Sequence, residues 1–344
     1  MSDGTVCPVC GNKKGLMPIS EYDCDTCGFT NAFVNYFAST EGNRRWLRSV
    51  EKAKAEWLEK QKPKPSISNS LITASGAIAW NDTGKHTIYI ALGRDALQIE
   101  EHAAGFSSSE RNYAVLHDDG TVQVYGEEND FGQKNTSLWK DIKYVLVSPN
   151  CTYGIMSNGK IITAGIPVSD NTGKWTDMIK IDGGSSFVVG LRKDGRASIA
   201  GVYKGSEKSG LIKGWTDIAD IKAGRDYILA LRNDGTVYYS GESDEVKTAV
   251  ESWHNVVAIA GDNVYAYGLT DEGRVLMAGT CPRFLDRGRS KAAGWENISA
   301  ISCNQTGIGA VTKNGELLFA GTIAGDIQSI MDIWEESIKK EINH

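Results

Sequence analysis

The chain has 344 residues, 41% hydrophobic and 23% charged, a globular composition that excludes an intrinsically disordered protein. Its net charge of −6 is uneven: residues 1–65 carry ten Lys/Arg against eight Asp/Glu, and the rest 27 against 35, which makes the main body a poor electrostatic partner for nucleic acid. No run approaches the roughly 20 apolar residues that span a bilayer.

The first ten residues lack the basic start and apolar run of a secretory leader. Four of the seven cysteines form two Cys-x-x-Cys pairs, and Cys151, Cys281 and Cys303 are single. That usage predicts a reducing, cytoplasmic setting with one metal site.

Residues 1–37 carry the metal motif. Cys7-Pro-Val-Cys10-Gly is followed by Cys24-Asp-Thr-Cys27-Gly, with thirteen residues between the inner cysteines. Each pair brings two thiolates to one ion, and the glycine after it permits the tight knuckle backbone. Two knuckles complete a tetrahedral four-sulfur site with no open position for water, so Cys7, Cys10, Cys24 and Cys27 predict one structural zinc ion. In so short a segment the metal would supply most of the folding energy, on the order of 10 kcal/mol. A redox dithiol, a pair of disulfides or an iron–sulfur centre are the other readings of these ligands. The stretch from Cys7 to Phe29 resembles the zinc ribbons found at the N-terminus of many bacterial multidomain proteins, a likeness that implies a fold and not a ligand.

Residues 38–65 read as an amphipathic helix and a Pro/Lys linker. After Ser39-Thr40 as N-cap, Trp46, Val50, Ala53 and Trp57 recur at helical spacing, and Lys60 to Pro65 ends the run. Arg44, Arg45, Arg48, Lys52 and Lys54 cover its other faces with Glu51, Glu56 and Glu59 interspersed. The reading favoured is a solvated face whose tryptophans pack on the remaining protein or a partner helix. Contact with nucleic acid or an anionic surface is the alternative.

Residues 66–334 are a repeat array. Asp119-Gly120, Asn158-Gly159, Asp194-Gly195, Asp234-Gly235, Glu272-Gly273 and Asn314-Gly315 recur with a diverged first copy at Asp82-Thr83-Gly84. These dipeptides suit tight hairpins. Each follows an apolar strand and precedes an alternating one that ends six residues later in Gly126, Gly165, Gly201, Gly241, Gly279 or Gly321; in the first copy the gap to Gly93 is nine. Trp139, Trp175, Trp215, Trp253 and Trp295 open the repeats, each with an apolar residue three positions on. The pattern predicts an all-β fold: a seven-bladed β-propeller behind a zinc ribbon and an α-helical stalk. In the tail, Trp334 to Ile342 could return as a strand to complete the first blade, but the spacing of Ile327, Ile330, Met331, Trp334 and Ile338 favours a helical C-terminal tail over residues 335–344.

The run Leu116-His-Asp-Asp119-Gly120-Thr-Val122-Gln-Val-Tyr125-Gly126, continued by Asn129-Asp-Phe-Gly132-Gln133, resembles the regulator of chromosome condensation repeat family. The likeness covers Ile67 to Trp334. The repeats are shorter than the eukaryotic ones and keep the Gly-Gln tail once, which looks more like the bacterial branch with its propeller-shaped β-lactamase inhibitors.

Nothing in the array suggests catalysis. The five histidines fall at non-equivalent repeat positions, with His102 read as a core-strand residue, and no phosphate loop or nucleophile elbow is present. The turn aspartates are expected to cap their own backbone, and the single cysteines to act as small buried hydrophobes. The variable loops after each strand-ending glycine are the expected binding elements. Among them Thr280 to Gly294 contains Arg283, Phe284, Leu285, Arg287 and Arg289, aromatic and arginine residues of the kind enriched at protein interfaces; Phe131 and Tyr203 are further candidates. The expected function is a non-enzymatic protein–protein interaction scaffold with a structural zinc module and no membrane span. A nucleic-acid adaptor acting through residues 1–65 is the second reading. An exchange-factor or enzyme-inhibitor role is what the family resemblance implies.

Overall fold

In a computed structural model the described residues are 96–109, 112–202, 214–303 and 307–321, with shorter pieces at 21–23, 30–32, 51–52, 71–72, 78–82 and 87–92 and single positions at 212 and 332. The four ribbon cysteines, most of the stalk, Tyr203 and residues 335–344 lie outside them. The chain divides into two compact units, Met1–Ser66 and Ile67–His344.

In the first unit β1 (Glu21–Asp23) pairs antiparallel with β2 (Thr30–Ala32), Tyr22 opposite Asn31. Between them runs the sequence segment that carries Cys24 and Cys27.

The second unit is a succession of small antiparallel sheets in chain order. The first holds β3 (Leu71–Ile72), β4 (Ile78–Asp82), β5 (Thr87–Leu92) and β6 (Ala96–Glu100). Six three-stranded sheets follow. The second holds β7 (Ala103–Ser108), β8 (Asn112–His117) and β9 (Val122–Gly126), and the third β10 (Ile142–Ser148), β11 (Cys151–Met156) and β12 (Ile161–Gly165). The fourth holds β13 (Met178–Gly183), β14 (Phe187–Arg192) and β15 (Ala197–Gly201), and the fifth β16 (Ile218–Ala223), β17 (Ile228–Arg232) and β18 (Val237–Ser240). The sixth holds β19 (Val256–Gly261), β20 (Ala266–Thr270) and β21 (Val275–Ala278), and the last β22 (Ile298–Cys303), β23 (Gly307–Thr312) and β24 (Leu317–Gly321).

The predicted turns join the last two strands of each three-stranded sheet, and Asp82-Thr83-Gly84 leads from β4 to β5. The strand β6, added after Gly93, was not visible in the repeat pattern. The turn residues act as expected: Asp119, Asn158, Asp194 and Asp234 each accept the amide two residues on, at 2.9–3.1 Å. The sixth and last turns carry Glu272 and Asn314 in the same column.

Five of the turns are also sewn to the next sheet. The Gly120, Gly159, Gly195, Gly235 and Gly273 carbonyls accept the amides of Ile142, Met178, Ile218, Val256 and Ile298, the first residues of the following sheets. The residue just before those strands has a left-handed backbone: Asp141, Asp177, Asp217, Asn255 and Asn297, with φ between 56° and 62°, and His102 ahead of β7 at 57°. Asp and Asn tolerate that region better than other side chains, which explains their recurrence two positions after each tryptophan. His102 is exposed in this column. That corrects its reading as a core-strand residue.

Gly159 shows how tight the stitch is. Its φ is 75°, and a Cβ there would sit 2.7 Å from the Asp177 Cα. Gly159→Ala is therefore expected to lower stability by at least about 1–2 kcal/mol, read as a fall in the urea midpoint.

Apolar residues of the middle strands fill the interfaces between successive sheets. The opening tryptophans Trp139, Trp175, Trp215 and Trp253 are buried, and Trp295 is half-buried. From the third sheet on, each first strand rests on the first two strands of the sheet before it, as β10 does on β7 and β8, and β16 on β13 and β14; β7 rests on β4 and β5, the second and third strands of the first sheet. The strand β3 rests on β22 and β23, the first two strands of the last sheet.

Candidate functional site

The loop from β21 to β22 brings together most of the predicted contact residues. After Cys281 and Pro282 the chain forms one short helix, α2 (Arg283–Asp286). Arg287 follows at φ 50° and Gly288 at φ 86°, and a 3-10 turn over Arg289–Gly294 leads into Trp295. The outer side of this bend is apolar: Phe284 is 77% exposed and Leu285 43%. Arg287 and Lys291 are exposed beside them.

The inner side is a buried polar clamp. The Arg289 side chain, 4% exposed, forms an ion pair with Asp262, 0% exposed, at 2.9 Å. Arg289 also donates to the carbonyls of Leu285 (2.7 Å) and Asp286 (3.1 Å), and its guanidinium lies over the Tyr265 ring. Asp262 in turn accepts the amides of Val264 (2.6 Å) and Tyr265 (2.7 Å) and the Tyr267 hydroxyl (3.2 Å). Burial pushes the Asp262 carboxyl above its usual range, against these hydrogen bonds and the Arg289 charge. Burial likewise opposes the Arg289 charge, but Asp262 outweighs it and holds the guanidinium pKa above its ordinary value.

Asp286 ties the two ends of the bend. It accepts the Tyr265 hydroxyl (2.9 Å), the Gly288 amide (3.1 Å), and the Ser290 amide (2.9 Å) and hydroxyl (2.8 Å). Burial would raise its pKa, yet the Ser290 and Tyr265 hydroxyls and the two amides hold the carboxyl below its usual range. The Cys281 thiol lies 3.0 Å from the Tyr265 hydroxyl.

Two predicted roles change here. Arg289 was expected at the surface beside Phe284, but it is buried and shapes the loop from beneath, because only Asp262 can balance its charge there. Phe131 is exposed at 48%, but it belongs to the loop between the second and third sheets, while residues 280–294 connect the sixth and last. Arg283 lies at the start of α2, and Tyr203 and the metal-ligand cysteines fall outside the described residues. Cys151 is fully buried as expected, its thiol pushed by burial up to about 12, whereas Cys281 and Cys303 are half-buried.

The sequence reading missed the other half of the clamp. Asp262 starts the turn after a first strand, where its amide donates to Tyr265, as Gly184 donates to Phe187 and Gly224 to Tyr227. Ser109 makes the same turn bond in the second sheet, to Asn112, so a carboxylate in a column of serine and glycine was the available signal.

A second polar group was also missed. On the first strands β13 and β16, Lys180 donates to Asp220, and Lys222 stands 3.9 Å from Asp182. Asp182 also accepts the Ala223 amide at 3.1 Å. Burial and the neighbouring Lys222 hold Lys180 below the ordinary lysine value; burial works against Lys222 too, but Asp182, Tyr144 and Asp220 raise its pKa overall. The opposed charges compensate one another and lock the fourth sheet to the fifth.

Among the described residues no cluster of three or more metal-ligating side chains occurs, and no helix is long and apolar enough to cross a membrane.

The chain matches no family model, and no curated protein matches it. It is similar in structure to the CRINKLY WD40 ectodomain of the Arabidopsis thaliana receptor kinase ACR4, with a TM-score of 0.58 at 15% identity over 74% of this chain and 95% of that one. The ectodomain of the Physcomitrella patens receptor kinase CR4 gives 0.57 at 15% identity over 74% and 73%. Saccharomyces cerevisiae Prp20p, a regulator of chromosome condensation, gives 0.47 at 13% identity over 63% and 71%. The likeness to the two ectodomains shows the fold: the described sheets of the second unit form a β-propeller.

Proposed function

We propose that this protein is a protein–protein interaction scaffold whose main contact surface is the loop 280–294. The observation that carries this reading is the pairing of an exposed Phe284–Leu285 tip with a buried clamp beneath it. A loop built only to connect two strands has no need of an ion pair below 5% exposure, which is costly to desolvate. Such a clamp is reasonable where a loop must keep one shape, since a preorganised surface spares the ordering cost of binding. Exposed Ile166, Val168 and Val202, which follow the strand-ending glycines of the third and fourth sheets, supply further apolar contact surface. No catalytic constellation has to be invoked for this role.

The propeller is read as a closed ring of seven blades. Support comes from β3, which lies on β22 and β23, the first two strands of the last sheet, as β10 lies on β7 and β8. On that reading the ring closes without a strand from residues 335–344.

The N-terminal unit is read as a zinc ribbon held by Cys7, Cys10, Cys24 and Cys27. Its support is the ligand spacing together with the β1–β2 hairpin, whose two strands flank the second Cys-x-x-Cys pair in the sequence. A bound zinc ion would act there as a structural tether, with all four positions taken by thiolates. Metal analysis of the purified protein is expected to find one zinc per chain, and Cys24→Ser to remove it. Zinc retained at full occupancy in that variant would refute the assignment.

The scaffold reading is tested by capture from the native host with wild-type protein and with the Phe284→Ser/Leu285→Ser pair. Both residues are exposed, so the variant is expected to unfold at an unchanged temperature while losing the captured proteins. Undiminished capture would place the contact surface elsewhere.

A further inference from the structure

The polar group shared by the fourth and fifth sheets is only partly satisfied within the protein. The first strands of successive sheets lie side by side, β10 on β13, β13 on β16, β16 on β19 and β19 on β22. In a propeller, blades packed in this way surround a central channel. The third residue of these strands is Tyr144, Lys180 and Asp220 on the third to fifth sheets, but Ala258 and Ala300 on the last two. Charge and bulk are gathered on one side.

The hydrogen bonds show which groups are left over. Both carboxylates are taken. Asp182 accepts the amides of Gly183 (2.9 Å) and Ala223 (3.1 Å), and Asp220 accepts the Ile221 amide (2.7 Å) and the Lys180 ammonium. The Lys222 ammonium, by contrast, makes no hydrogen bond to a described residue, and its ion-pair partner Asp182 stands 3.9 Å away. The half-buried Tyr144 hydroxyl makes none either, although Lys222 is near enough to act on it electrostatically. Burial raises the Tyr144 pKa and Lys222 offsets this only in part, so the hydroxyl keeps its proton at neutral pH. Two neighbouring donors, one of them charged, thus have no protein acceptor. A donor so placed demands an oxygen from water or from a ligand.

We infer that Lys222 and Tyr144 bind the carboxylate of a small organic acid in the propeller channel, Lys222 pairing with its charge and Tyr144 donating to its second oxygen. The ligand is a monocarboxylate and not a phosphate. Asp182 and Asp220 lie close by and repel a second negative charge, and Lys180, held by Asp220, offers no second cation. The small side chains of Ala258 and Ala300 leave room for the apolar remainder of the acid. This site shares no residue with the loop 280–294 and does not depend on the scaffold reading.

The test is a ligand-observed NMR titration of the full-length protein in a carboxylate-free buffer. The probes are acetate, pyruvate and benzoate, with benzamide and inorganic phosphate as counter-probes. At least one of the acids is expected to bind, and neither counter-probe. Tyr144→Phe and Lys222→Met should each weaken that acid by about tenfold or more, the usual effect of removing a hydrogen bond to a charged group. Tyr144→Phe removes no bond to a described residue, so its unfolding temperature should stay unchanged while binding falls. Glu245→Gln, on the exposed face of the helix α1 (Asp244–Glu251), is the control and should bind as wild type does.

No binding by any of the three acids would overturn the inference, and so would phosphate binding as well as the best acid. An affinity that Tyr144→Phe and Lys222→Met leave unchanged, or a loss matched by Glu245→Gln, would overturn it too.

Discussion

Replacing Arg289 by alanine is expected to destabilise the propeller by about 3–5 kcal/mol, the usual consequence of leaving one member of a buried ion pair alone. No discount for solvent screening applies, since the Arg289 and Asp262 side chains are 4% and 0% exposed. The pH dependence follows from the direction of the Asp262 shift. Burial already raises its folded-state pKa, and removing Arg289 raises it further. A carboxyl with a raised folded pKa favours the folded state below the unfolded value, about 4, and loses that contribution as pH rises through the folded pKa. The deficit of Arg289→Ala should therefore be largest at neutral pH and shrink toward pH 4. Urea titrations across that range check both the size and the slope. Arg289→Met with Asp262→Leu should recover only part of the stability: the unpaired charge is gone, but the Val264 and Tyr265 amides and the Tyr267 hydroxyl lose their acceptor. The same double variant should blur the loop, and with it partner capture.

The second large effect lies in the inter-sheet packing. Trp175 is buried against the middle of β14, where a Cβ on Gly190 would come 2.7 Å from the indole Cζ3 and 2.9 Å from the Met178 Sδ. Trp175→Ala is expected to cost about 3–5 kcal/mol through lost burial and the cavity left behind. Gly190→Ala should cost about 1–3 kcal/mol by overpacking. In the Trp175→Ala background that second cost should disappear or reverse, since the added methyl then fills part of the hole. A double-mutant cycle by chemical denaturation reads the coupling directly. Gly154 under Trp139 and Gly268 under Trp253 have the same geometry, so the result should transfer to those sheets.

These two sites show which parts of the structure were legible in the sequence. The tryptophans and the Asp-Gly turns recur at fixed spacing, so each blade announces itself once a few copies are aligned. What repeats is readable because the same local demand, a hairpin with positive φ or an indole against a small residue, is met again and again. The left-handed Asp141, Asp177 and Asp217 column belongs to this class too, but its meaning became clear only when the φ values were seen. The strand β6 and the short passage from Glu100 to Ala103 break the period, and the pattern gave no warning of them.

The clamp was illegible for the opposite reason. Asp262 and Arg289 are far apart in sequence and occur once each, so no periodicity reveals that they meet. Their contact depends on the turn after β19 facing the loop after β21, a consequence of antiparallel topology rather than of local pattern. That is why Arg289 looked like a surface contact residue when read beside Phe284, and why Asp262 went unnoticed. Phe284 and Leu285 stood out in the sequence because an aromatic among arginines in a loop is a local signal, and both are exposed. The Lys180–Asp220 and Lys222–Asp182 pairs join strands of separate repeats and were hidden in the same way.

The account stands or falls on whether the Phe284 tip is where another protein sits. A photocrosslinking amino acid placed at Phe284, and in a second experiment at Glu272, an exposed residue at the opposite end of β21, would test this in the native host. A discrete crosslinked protein is expected from position 284, lost on Leu285→Ser, and none from position 272. Equal crosslinking from both positions, or crosslinks from neither, would contradict it.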